Sequence, residues 1–160
     1  MARQHARRSV PEPASGIPDD RAFAFSLFDD TDVSTLQGIR PVYDFLRELG
    51  FRTTKTVWCF DHDGPSSYQG SHTLAHDDYR EYVLGLARDG FEIAFHGASM
   101  ESSARERTAA ALERFREVFG QYPRCYAAHA QNRENLYWGR DRLVNPLVRR
   151  AYALLARAEA

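Results

Sequence analysis

Four short apolar runs in the chain stop abruptly on acidic or histidine side chains: 22–28 on Asp29, Asp30 and Asp32, 53–60 on Asp61, His62 and Asp63, 91–95 on His96, and 124–128 on His129. The runs are nearly continuous in apolar character and rich in aromatic and β-branched residues, the pattern of strands covered on both faces. Helical stripes lie between them. Leu36, Ile39, Tyr43 and Leu46 recur at helical spacing behind Ser34 and Gln37, which have capping-box spacing, and Gly50 ends the stripe. Pro41 predicts a kink or a second helical start there, because proline has no amide proton to donate. Tyr79, Val83 and Leu86 mark a second helix stopped by Gly90. A third follows the capping-box pair Ser103 and Glu106, carries Leu112, Phe115 and Phe119, and ends at Gly120. Residues 146–160 predict a last helix with Leu147, Ala151 and Leu154 on one side.

Strands alternating with helices imply an α/β fold, its parallel sheet wound by right-handed crossovers. Residues 21–160 are expected to form one domain after a disordered tail over 1–20, which is rich in arginine, proline and small residues. A closed barrel takes about 200 residues or more, so the expectation is a distorted or incomplete (β/α) barrel. Functional groups of such sheets gather at the carboxyl ends of the strands, where all four runs turn polar.

Charge and composition narrow the partners. A formal net charge of -1 gives no general attraction to nucleic acid or anionic membrane. No apolar run approaches the roughly 18 residues of a membrane span, and the basic start lacks the apolar core of a secretory signal, so a soluble cytoplasmic protein is expected. Cys59 and Cys125 each sit in a strand-like run and read as buried thiols rather than a bridge or a zinc knuckle. Lys55 is the only lysine. Arg105, Arg107, Arg114 and Arg116 alternate with Glu106, Glu113 and Glu117 at helical spacing, as on a solvated, ion-paired face.

The strand ends carry the candidate chemistry. Of Asp29 and Asp30, one can bind a divalent metal while its neighbour takes a proton from bound water, or both can cap the following turn. His96 and His129 end later strands, and with one aspartate they form a two-histidine, one-carboxylate set that leaves positions for water and substrate. Asp61, His62 and Asp63 line the same mouth or bond their own DHDG turn. Asp61, Asn132, Glu134 and Trp138 are the candidate substrate contacts, with Tyr137 and Trp138 able to stack on a sugar ring or to pack on the sheet. His72 and His76 read as surface residues.

At SLFDDTD, FEIAFHGASMESS and YPRCYAAHAQN the sequence resembles the polysaccharide deacetylase (NodB-homology) family, which includes carbohydrate esterase family 4, over about residues 22–131. The resemblance implies a barrel of the polysaccharide deacetylase type, with Asp29 as catalytic base and Asp30 and His96 as metal ligands. Gly97 and Met100 stand where that family has a hydroxyl residue and a second histidine, and His129 is our substitute for the missing ligand. The implied cofactor is a divalent metal ion, zinc first, and the implied activity is removal of an N-acyl group from an amino sugar, polysaccharide or small-molecule amide. Two alternatives stay open. One is a degenerate carbohydrate-binding domain. The other is a phosphohydrolase resembling the haloacid dehalogenases, with Asp30 as nucleophile and Asp32 as acid and base.

Overall fold

The computed structural model describes residues 24–66, 70–129, 132–134 and 143–158. Its elements run α1 (Leu36–Glu48), β1 (Thr54–Trp58), α2 (Asp77–Arg88), β2 (Glu92–Gly97), α3 (Arg105–Phe119) and α4 (Pro146–Ala158). The expected tail over 1–20 lies outside the described residues.

β1 and β2 pair in parallel from Thr54 opposite Glu92 to Val57 opposite Phe95. One flanking segment joins β1 through Phe28 and Thr54, and another joins β2 through Phe95 and Tyr126, both in parallel. Four parallel segments therefore lie side by side in chain order. The two outer runs expected to be strands contribute one bridged residue each. On the first side the expectation of double burial fails among the described residues, since Phe25 is 73% and Phe28 50% exposed. Periodicity cannot see this, because an apolar run reads alike whether or not a neighbour covers it.

The helices form where the spacing places them, but their caps differ. Thr35, not Ser34, caps α1, its hydroxyl accepting from the Gly38 amide at 3.2 Å. His72 Nδ1 takes the Leu36 amide at 3.1 Å, satisfying another of the donors that a helix start leaves over. Pro41 sits inside an uninterrupted α1. Ala104 precedes α3 without a side-chain cap bond. Gly120 ends α3 at φ 74°, a left-handed conformation that glycine adopts without a Cβ clash.

The core lies between the sheet and the first three helices. Tyr79, Val83 and Leu86 of α2, with Ala111 and Phe115 of α3, close over Val57, Phe91 and Phe95. Burying a side chain of this size is worth about 1.5–3 kcal/mol. α3 shows the ion-paired face, with Arg116 to Glu113 at 2.7 Å and Arg114 to Glu117 at 3.5 Å. On α4, Leu147 and Leu154 are exposed. Cys59 is buried as expected; Cys125 is only half-buried and bonds Glu92 Oε1 at 3.4 Å. No helix of the described residues is long and apolar enough to cross a membrane.

Candidate metal centre

The acidic turn after Phe28 is sewn to β1. The Asp29 amide donates to Thr54 O at 2.9 Å, and Asp29 O accepts from the Thr56 hydroxyl at 2.9 Å. From there the side chains alternate. Asp29 and Thr31 point to Lys55, whose Nζ lies 2.6 Å from Asp29 Oδ2 and 2.9 Å from Thr31 Oγ1. Asp30 and Asp32 point to His96, with their Oδ1 atoms 3.0 and 3.1 Å from its Nε2. Asp30, Asp32 and His96 form a group that could hold a metal ion, one ligand atom from each lying within 4.8 Å of the others.

His96 is delivered by an irregularity in the sheet. The pairing steps from Val57 opposite Phe95 to Trp58 opposite Gly97, so His96 is passed over. Such irregularities re-aim a side chain beside functional sites. His96 Nδ1 lies 2.8 Å from the carbonyl oxygen of Ala127. A carbonyl oxygen only accepts, so Nδ1 carries a hydrogen there and Nε2 is the ring atom that faces Asp30 and Asp32.

His129 is arranged in the same sense. Its Nδ1 is 2.9 Å from Asn132 Oδ1, while Asn132 Nδ2 donates to Glu101 O and Glu134 Oε1, each at 3.2 Å. Those acceptors fix the amide, and its oxygen must receive the His129 Nδ1 hydrogen. His129 Nε2 then faces Asp32 Oδ1 at 3.3 Å. Glu134 is held in turn by the Ser103 amide, at 3.1 and 3.2 Å from its two oxygens.

Two imidazole Nε2 atoms thus converge on two carboxylates. Lone pairs and carboxylate oxygens at about 3 Å repel unless a proton or a metal ion lies between them. Carboxylate and imidazole are both metal donors, so the residues present fit a metal ion.

Several expected site residues lie elsewhere. Asp29 stands outside the group, because Lys55 and the Tyr43 hydroxyl, at 2.9 Å, both hold its Oδ2. Burial, reinforced by the Asp29 charge, pushes the Tyr43 pKa far up and keeps its hydroxyl a donor. Asn132 is buried and Glu134 half-buried behind His129. Their bonds orient the ring, the part that outer partners play for metal-ligating histidines. Asp61 accepts from the Thr73 hydroxyl at 2.8 Å and lines a polar cavity of about 300 Å³ with His62, Ser71, His76 and Met100. Ser71 Oγ reaches Thr31 O at 3.4 Å, which links that cavity to the acidic turn. Asp63 is paired to Arg107 at 2.5 Å. His72 and His76 are stacked at 4.7 Å and half-buried rather than freely exposed. Burial and the His76 charge lower the His72 pKa, in keeping with its acceptor role at Leu36. Tyr137 and Trp138 lie outside the described residues.

Asp32 was not foreseen as a partner of both histidines, and Lys55 stood out only as the sole lysine, with no role assigned. A lone lysine inside an apolar strand was the available signal. No protein-family model matches the chain, and neither a curated protein nor a solved structure matches it significantly.

Proposed function

We propose that this chain is a metal-dependent hydrolase that removes an N-acyl group from an amino sugar or related amide, cleaving a non-peptide C–N bond. The observation that carries the reading is the convergence of His96 Nε2 and His129 Nε2 on Asp32 Oδ1, with Asp30 beside His96. The motif resemblance supports the substrate class, and the hydrogen-bonding cavity beside Asp61 supports a hydroxyl-rich ligand. Parallel segments in chain order support a distorted or incomplete barrel as the fold.

In this reading Asp32, His96 and His129 hold the ion. When bound, it polarises an acyl carbonyl and lowers the pKa of water. Asp30, with its side chain 73% exposed, would accept a proton from the attacking water and return it to the departing amine nitrogen as the C–N bond breaks, leaving the acyl group as a carboxylic acid. It takes the base role implied for Asp29, whose Oδ2 is committed to Lys55 and Tyr43. The phosphohydrolase alternative calls for a cation at Asp30, and Lys55 bonds Asp29 and Thr31 instead.

The test is metal content by elemental mass spectrometry, followed by assays on N-acetylated amino-sugar oligomers. The parent is expected to hold close to one ion per chain, which Asp32→Ala, His96→Ala and His129→Ala lose. Asp30→Asn should keep the ion and lose turnover. A parent that takes up no metal even with added zinc would overturn the reading and leave a carbohydrate-binding domain.

A further inference from the structure

Lys55, the second residue of β1, is 0% exposed, and Nζ has three partners: Asp29 Oδ2, Thr31 Oγ1 and, at 3.0 Å, Thr56 O. An ammonium has three hydrogens, so every one is engaged. Burying such a charge is costly unless it is paired and hydrogen-bonded, and replacing a buried pair by apolar residues often costs nothing. Core stability alone therefore does not call for a lysine here. Its two side-chain partners, residues 29 and 31, alternate with the two carboxylates at the candidate metal centre, residues 30 and 32.

We infer that Lys55 is a positioning residue: by pinning Asp29 and Thr31 from inside the sheet, it aims Asp30 and Asp32 at His96 and His129. This rests on the metal reading of the site. Residues 29 and 31 meet Lys55 while 30 and 32 meet His96, so holding the first pair on one side presents the second pair on the other. Thr31 is fully buried, and its carbonyl receives the Ser71 hydroxyl as well. The ammonium also neutralises Asp29, so Asp30 and Asp32 together match the charge of one divalent ion.

The experiment compares the parent, Lys55→Met, Thr31→Val and the double variant Lys55→Met with Asp29→Asn, which removes both charges of the pair. Zinc affinity is measured by chelator competition. The ¹⁵N chemical shifts of the His96 and His129 rings are read in the metal-free proteins. Lys55→Met and Thr31→Val are expected to weaken zinc binding by about 10- to 100-fold, the usual range for outer partners of ligands, and to shift the His96 ring resonances. The double variant should regain stability without regaining zinc affinity. Parental or tighter zinc binding in folded Lys55→Met overturns the inference, because removal of a mere positive charge would favour the cation. Should Lys55→Met not fold, Thr31→Val and the double variant decide: parental affinity and shifts in both overturn it. A parent that binds no zinc refutes the metal reading alone; altered ring shifts then support the positioning role and unaltered shifts overturn it.

Discussion

The indole of Trp58 lies against the imidazole of His96, with ring centroids 4.3 Å apart and planes inclined by 50°. Gly97 makes the contact feasible. A Cβ at that position would sit 2.9 Å from Trp58 Cζ3, and its φ of +151° disfavours any side chain. Gly97→Ala is therefore expected to destabilise the fold by about 1–3 kcal/mol, the usual cost of overpacking, and to displace the ring that backs His96. Denaturant unfolding checks the first effect and indole fluorescence the second; an unchanged midpoint would show that Trp58 yields freely.

Asn132→Leu removes the acceptor of the His129 Nδ1 hydrogen while filling a similar buried volume. Zinc affinity should fall by about 10- to 100-fold. Chelator competition measures it, and an unaltered value would mean that the ring is oriented by other contacts.

The two thiols should behave differently. Burial pushes Cys59 up from 9.0 to about 12, with the Arg114 charge pulling weakly the other way. Near neutral pH an aromatic disulfide reagent should modify Cys125 in the native protein and reach Cys59 only on unfolding. Since the folded state holds the Cys59 proton more tightly, its contribution to stability is full below the unfolded value of 9.0 and is lost as pH rises toward about 12. Tyr82, raised to about 12 by burial and Asp44, acts in the same direction. Unfolding midpoints measured across that alkaline range should fall, and less steeply in Cys59→Ala.

Thr35→Ala should cost about 1 kcal/mol through loss of the α1 cap, read as a lower melting temperature. Ser34→Ala, lacking that bond, should change it far less. Equal losses in the two variants would contradict the observed cap.

Helices α1, α2 and α3 were legible from the spacing of Leu36, Ile39 and Tyr43, of Tyr79, Val83 and Leu86, and of Phe115 and Phe119. Helical periodicity is a local property written in neighbouring residues. The outer apolar runs misled for the complementary reason: whether Phe25 or Phe28 is covered depends on what packs against it, which no window of sequence contains. Ser34 and Thr35 both suit a cap, and His72, far along the chain, belongs to the choice between them: its amide donates to Ser34 O and its Nδ1 accepts from the Leu36 amide.

By itself, the sequence determined that acids and histidines end its apolar runs, and hence that polar chemistry gathers at one edge of a parallel sheet. Which carboxylate meets which imidazole was decided only by tertiary structure. Asp32 meets His96 and His129 because Lys55 turns Asp29 and Thr31 inward, because the sheet passes over His96 in its pairing, and because Asn132 and Ala127 fix the ring hydrogens. Apart from the bond between His129 and Asn132, three residues apart, those contacts join residues remote in sequence. Their geometry follows from folding rather than from local propensity.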